Sequence, residues 1–174
     1  MMKNPKLKKK LKRTSRARYT YFLTTICTEN GNEYFGKMKN GKMVSSKTGE
    51  IAKEIWEALP ARYEKIKLDN YIIMPNHLHG IIYFEGSNVA KSVLKALELS
   101  IKAIEGFRKT VKDTVHSSNP RTKFCWAKDF NIYTIKDEGE LYDMRYYIEK
   151  EALKWEFDSE NTKNKLYITQ SKKK

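Results

Sequence analysis

Three histidines occur in the 174-residue chain, and two of them, His77 and His79, are separated by a single residue. Side chains alternate along a β-strand, so if this segment is extended both imidazoles lie on one face while Leu78 points to the other. Two nitrogen donors then converge without any loop having to rearrange. That is the start of a site for a divalent ion. The same spacing also occurs on the half-exposed surface of ordinary strands, so the pair alone does not decide. His116 has no sequence partner and reads as a surface histidine. Cys27 and Cys125 stand far apart with no closely spaced companion, which argues against a thiolate zinc site and against a disulfide framework.

The elements that must position these histidines can be read from the pattern around them. Ile66–Met74 and His77–Phe84 are apolar, β-rich runs separated only by Pro75-Asn76, and they read as a hairpin. Upstream, Tyr19–Thr28 (YTYFLTTICT) is dense in aromatic and β-branched residues, ends at Asn30-Gly31-Asn32, and reads as a strand. A short Gly-punctuated excursion follows. From about Thr48, Ile51, Ile55 and Leu59, flanked by Ala52, Trp56 and Tyr63, recur at helical spacing, with Lys53, Glu54 and Glu57 facing away. After Glu85-Gly86-Ser87, Val93, Leu97, Ile101, Ile104 and Val111 mark a long helix with Lys91, Lys95, Lys102 and Lys109 on its polar side. Ser117–Pro120 breaks the chain. Phe130–Ile135 reads as a short strand, and Asp137 with Glu140 as a capping box opening a last helix through about Trp155. The core stripe of that helix is Leu141, Met144, Ile148 and Ala152.

Strand, helix, strand, strand, helix, strand, helix is the order of an α+β, ferredoxin-like split βαβ domain: an antiparallel sheet with helices on one face and an added C-terminal helix. Such a fold hosts many functions, RNA-binding modules among them, so the chemistry has to come from the site. A plain RNA binder is disfavoured, because the sheet shows no aromatic run of the kind those modules carry.

The stretch Tyr71-Ile-Ile-Met-Pro-Asn-His-Leu-His-Gly-Ile-Ile resembles the signature of the REP-associated tyrosine transposases, within the wider single-tyrosine HUH transposases. The resemblance extends from the Trp56 helix and Lys67–Asn70 to Phe107-Arg-Lys, Trp126–Phe130 and Tyr147-Ile148…Lys154-Trp155, so that roughly Tyr19 to Asp158 is covered. It implies that His77 and His79 bind a divalent metal, Mg²⁺ or Mn²⁺. It also implies a tyrosine nucleophile on the last helix, within a pattern like Tyr-Ile-x-x-Asn-Pro-x-Lys. Matched position by position, the nucleophile falls on Tyr147; Tyr146 is adjacent, but a helix turns about 100° per residue and the two cannot face the metal alike. The amide of that pattern, which helps hold the metal, is replaced here by Glu151, and the proline by Ala152. At i and i+4 the phenol and the carboxylate share a helix face, so a His-His-Glu site beside the nucleophile is expected.

What the resemblance implies is a transposase that cleaves and rejoins single-stranded DNA next to palindromic hairpins through a 5′-phosphotyrosine. The alternative, prompted by the Glu151 and Ala152 departures, is a weakened or inactive hairpin-binding or single-strand-binding protein on the same fold, with Glu151 facing solvent. A relaxase-like nickase is less consistent with the tyrosine-bearing helix. Trp126, Phe130 and Tyr133 could stack on bases, and Arg108, Lys109, Lys123 and Lys128 could follow phosphates, although core or rim packing is the better expectation for the aromatics.

Composition agrees with a polyanionic partner. The formal net charge is +14, and residues Met1–Arg18 hold six lysines, three arginines and no acid, leaving about +5 for the rest. This stretch reads as a basic, disordered arm (1–18), followed by a catalytic domain (19–158) and a polar, Lys-rich tail (159–174). No run of 18 apolar residues occurs, so no membrane partner is expected, and the cysteine usage fits a reducing cytoplasm. Whether the protein is a monomer or a homodimer is open at this level.

Overall fold

The computed structural model describes residues 19–85 and 89–155, with side-chain surroundings left out for 86–92; the expected basic arm, the Lys-rich tail and residues 156–158 of the expected domain lie outside these. The first strand, β1 (Tyr19–Cys27), is followed by a small hairpin of β2 (Gly36–Lys39) and β3 (Lys42–Ser45). Helices α1 (Lys47–Glu57) and α2 (Leu59–Arg62), strands β4 (Lys67–Ile73) and β5 (His77–Glu85), helix α3 (Val89–Ser118), strand β6 (Asn131–Ile135) and helix α4 (Glu138–Lys154) complete the order. The main sheet is antiparallel with the order β4-β5-β1-β6, which places the histidine-bearing strand second, against β1. The expected split βαβ arrangement is what forms.

Two faces of this sheet carry two cores. Even-numbered positions of β1 and β5 (Phe22, Ile26, Leu78, Ile82) pack against Ile51, Ala52 and Trp56 of α1 and Ala103, Ile104, Phe107 and Val111 of α3. On the other face Ile81 and Ile135 meet Leu141 and Ile148 of α4. The added helix therefore lies across the sheet from α1 and α3. Burying each of these aliphatic side chains is worth about 1.5–3 kcal/mol, so a few of them hold α4 down.

Local chemistry explains the boundaries. Ser46 caps α1 by accepting the Gly49 amide N–H at 3.1 Å. The single helix expected from Thr48 to Tyr63 is two, because the chain leaves α1 at Ala58 and restarts with Pro60 in the first turn of α2, where proline needs no amide partner. The Gly-punctuated excursion contains the β2–β3 hairpin, whose Asn40-Gly41 turn has both residues at positive φ (51° and 70°). In α3 the stripe is displaced from the expected one: Ile101 is exposed and Ser100 is buried, its hydroxyl donating to the Ala96 carbonyl at 2.9 Å. Asp137 caps α4 from its side chain (Glu140 N–H, 2.9 Å), while Glu140 accepts from the Lys136 amide at 2.6 Å instead of the reciprocal bond to Asp137.

Candidate metal and tyrosine site

The hairpin between β4 and β5 turns through Pro75-Asn76, with the Met74 amide donating to the His77 carbonyl at 2.8 Å. Asn76 has no positive φ, so its role lies in its side chain and carbonyl. It is buried to 1% exposure, its side-chain amide donates to the Gly31 carbonyl at 3.1 Å, and its own carbonyl accepts from the Thr28 amide and hydroxyl. That fixes which way the side chain points. Its Oδ1 must face His77, so His77 Nδ1–H is the donor of the 2.9 Å contact between them, and Nε2 is the atom turned towards α4. His79 is held from the other strand, with Nδ1 2.8 Å from Thr25 Oγ1. Asn76 and Thr25 were invisible to a motif reading, yet each orients one imidazole, as groups behind metal ligands do.

From the opposite side α4 supplies Glu151, which is 2% exposed. Its Oε1 lies 3.6 Å from His77 Nε2 and 4.0 Å from His79 Nε2, and one donor atom from each of the three residues falls within 4.8 Å of the others. The alternative in which Glu151 faces solvent does not hold. Burial and the neighbouring His77 push the His79 pKa down to about 4, against the opposing pull of Glu151, so its ring is neutral at physiological pH. A neutral imidazole and a buried carboxylate are donors that a divalent ion accepts, and a carboxylate this far from water gains from such a charge. The trio fits a metal.

Tyr147 completes the arrangement. It is half-buried, its ring sits 5.4 Å from that of His79, and its hydroxyl is 3.5 Å from His79 Nε2. Tyr146 points elsewhere, half exposed, under the ammonium groups of Lys150 and Lys154. Ile148, next in sequence, is the buried anchor of the helix. Trp155 closes the far end, its ring 5.9 Å from His77.

Helix α4 is also pinned by charge. A register shift in β4 between Leu68 and Tyr71 turns Asp69 and Asn70 towards the helix. Asp69 takes two hydrogen bonds from Arg145, at 2.9 and 2.5 Å, and Asn70 donates to Glu149 at 3.1 Å. Burial alone would raise the Asp69 pKa, but the Arg145 bonds, the Asn70 amide and the guanidinium charge outweigh it and hold the carboxyl below its usual value.

Several of the remaining sequence candidates have partners within the chain, while Lys123 and Lys128 are exposed. Trp126 is buried among Phe35, Phe107 and Phe124, with its indole N–H donating to the Arg108 carbonyl at 2.9 Å. Arg108 donates to the carbonyls of Ala127 and Lys128 and covers the ring of Phe130. Tyr133 donates to Glu140, and His116 Nε2 sits 2.9 Å from the Phe124 carbonyl. Lys109 is paired with Asp113.

No family model matches the chain. An uncharacterised protein of Haemophilus influenzae is 28% identical over 152 residues, covering 79% of this chain and 83% of that protein. Among solved structures, a REP-associated tyrosine transposase bound to a REP hairpin superposes with a TM-score of 0.55 at 11% identity, over 88% of this chain and 74% of that one. The chain has the fold of that tyrosine transposase. The likeness is one of fold. Among the described residues no helix is long and apolar enough to cross a membrane.

Proposed function

We propose that the protein is a metal-dependent transposase that nicks and rejoins single-stranded DNA beside hairpins, with Tyr147 as the nucleophile. The observation that carries this reading is the Tyr147 hydroxyl at 3.5 Å from His79 Nε2, beside a buried His77-His79-Glu151 trio within 4.8 Å. His77, His79 and Glu151 would hold Mg²⁺ or Mn²⁺, which when bound polarises the scissile phosphate and offsets its developing charge. Everything else is done by the chain.

A phenol with a pKa of about 10 is a weak nucleophile at neutral pH, so position matters more than basicity. Helix α4 supplies position. Leu141 and Ile148 seat it on the sheet, Arg145 clamps it to β4, and Tyr147 is left with its hydroxyl towards the trio. In the step itself the Tyr147 oxygen bonds to phosphorus and the bond from phosphorus to the 3′ oxygen breaks. The phenol gives up its proton and the departing 3′ oxygen takes one up, so the products are a 5′-phosphotyrosine and a free 3′-OH. The covalent link retains a phosphodiester, and a second 3′-OH can attack it, releasing Tyr147 and rejoining DNA. Hairpin recognition is supported by the hairpin bound to the solved transposase of the same fold.

The test incubates the protein with hairpin-bearing single strands and Mn²⁺ or Mg²⁺ and looks for a denaturation-resistant protein–DNA adduct. The expected result is an adduct in wild type and in Tyr146→Phe, and none in Tyr147→Phe. Persistence in Tyr147→Phe removes the nucleophile assignment. Tight hairpin binding with no adduct in wild type, beside an active control enzyme, transfers the reading to a binding protein.

A further inference from the structure

The sheet face that carries His77 and His79 also carries three tyrosines at its opposite end. Tyr19 and Tyr21 belong to β1 and Tyr83 to β5, and Tyr21 and Tyr83 are direct partners across the ladder. Their rings stack at 5.2 Å with 28° between planes; Tyr19 meets Tyr83 edge-on at 5.8 Å and Tyr21 at 6.1 Å. All three are half-buried. Tyr21 touches the small core beneath α4, but among the described residues Tyr19 and Tyr83 belong to neither core. Tyr19 and Tyr21 are visible as an alternating pair on β1, but their meeting with Tyr83 joins two strands distant in sequence. Cross-strand aromatic pairing by itself explains one stacked pair. It does not explain a third ring outside both cores.

The occupant follows from the proposed site on the same face: a DNA strand offers flat bases to the rings, and Met1–Arg18, contiguous in sequence with Tyr19, carries nine cationic residues and no acidic one. Tyr83 stands four residues along β5 from His79, about 13 Å on the same face. A single strand whose phosphate lies at Tyr147 reaches the rings within a few nucleotides. We propose that Tyr19, Tyr21 and Tyr83 form a base-stacking subsite for the single strand that flanks the cleaved phosphate. It rests on the reading of the chain as a single-strand DNA enzyme.

The subsite is tested apart from the chemistry. Full-length Tyr147→Phe protein is titrated, in chelator and without divalent metal, into a labelled single-stranded oligonucleotide of mixed sequence at several salt concentrations. Tyr19→Leu and Tyr83→Leu, added to that background, keep apolar bulk but lose the π face, and each should weaken binding by roughly five- to tenfold with the salt slope unchanged. Tyr→Phe at the same positions should bind like the parent, which excludes a lost hydroxyl. A strand carrying 5-iododeoxyuridine should photocrosslink to Tyr19, Tyr21 or Tyr83. Leu variants that keep the parent's circular dichroism and bind as tightly, or crosslinks confined to other elements, overturn the proposal. If wild type forms adducts while the Leu variants bind unchanged, only the subsite falls; if no adduct forms but the Leu variants lose binding, the subsite stands and the chemistry falls.

Discussion

Replacing Arg145 with alanine should loosen the tyrosine helix by an amount the structure allows to be worked out. The Asp69 side chain is 10% exposed and the Arg145 side chain 40%. Exposed ion pairs contribute about 0–1 kcal/mol, whereas removing one member of a buried pair costs about 3–5 kcal/mol, since it strands a charge. This pair lies between the two, and its two-pronged geometry favours the upper part of the interval. Partial exposure of Arg145 discounts it, which leaves about 2 kcal/mol. For a domain of this size that lowers the melting midpoint by about 4–8 °C. The pH dependence has a definite sign. Asp69 is held below its ordinary value in the folded state, so the unfolded chain takes up a proton first as pH falls. The contribution of the pair is complete above the ordinary carboxylate range, around pH 4, and is lost as pH drops through the folded value. Urea denaturation of wild type and Arg145→Ala at a series of pH values should show a gap that is constant near neutrality and closes in acid. Asp69→Asn gives the other leg of a double-mutant cycle, in which the two losses should not add. A gap under about 0.5 kcal/mol, a gap that ignores pH, or full additivity would refute the assigned role of the pair.

Other substitutions probe the site from different sides. Gly80→Ala puts a methyl group where it would meet the Trp56 ring at 2.3 Å, and Trp56 is fully buried, so denaturant titration should show a loss of about 1–3 kcal/mol or more. Asn76→Ala removes the acceptor that fixes His77 Nδ1 and should weaken Mn²⁺ binding, measured by calorimetry, by about 10–100-fold; unchanged affinity would show that the tautomer is set elsewhere. Glu151→Gln removes a carboxylate that is 2% exposed. The metal-free variant should melt no lower than wild type, while the stabilisation that wild type gains from Mn²⁺, about 2.7 kcal/mol at a hundredfold excess over Kd, should disappear.

Alternation along β5 was legible in the sequence because it follows from strand geometry: His77 and His79 had to share a face, whatever packed there. The order of the four main-sheet strands, the capping of α4 by Asp137 and the i, i+4 relation of Tyr147 to Glu151 were equally local, and they emerge as read, whereas the β2–β3 hairpin and the break between α1 and α2 do not. Which face of the sheet α4 would cover was not local. Its stripe of Leu141 and Ile148 could seat on any apolar surface, and only the even-numbered core of β1 and β5, already filled by α1 and α3, leaves the histidine face free for it. Burial of Glu151 follows from that choice and not from its identity. The bulge that turns Asp69 towards Arg145, the Gly31 carbonyl that orients Asn76, and the meeting of Tyr21 with Tyr83 all join segments distant in sequence, so no window of sequence contains both partners. The chain alone therefore determined which groups were available and which way neighbours point; tertiary packing decided which of them meet, because convergence is set by what else each face must bury.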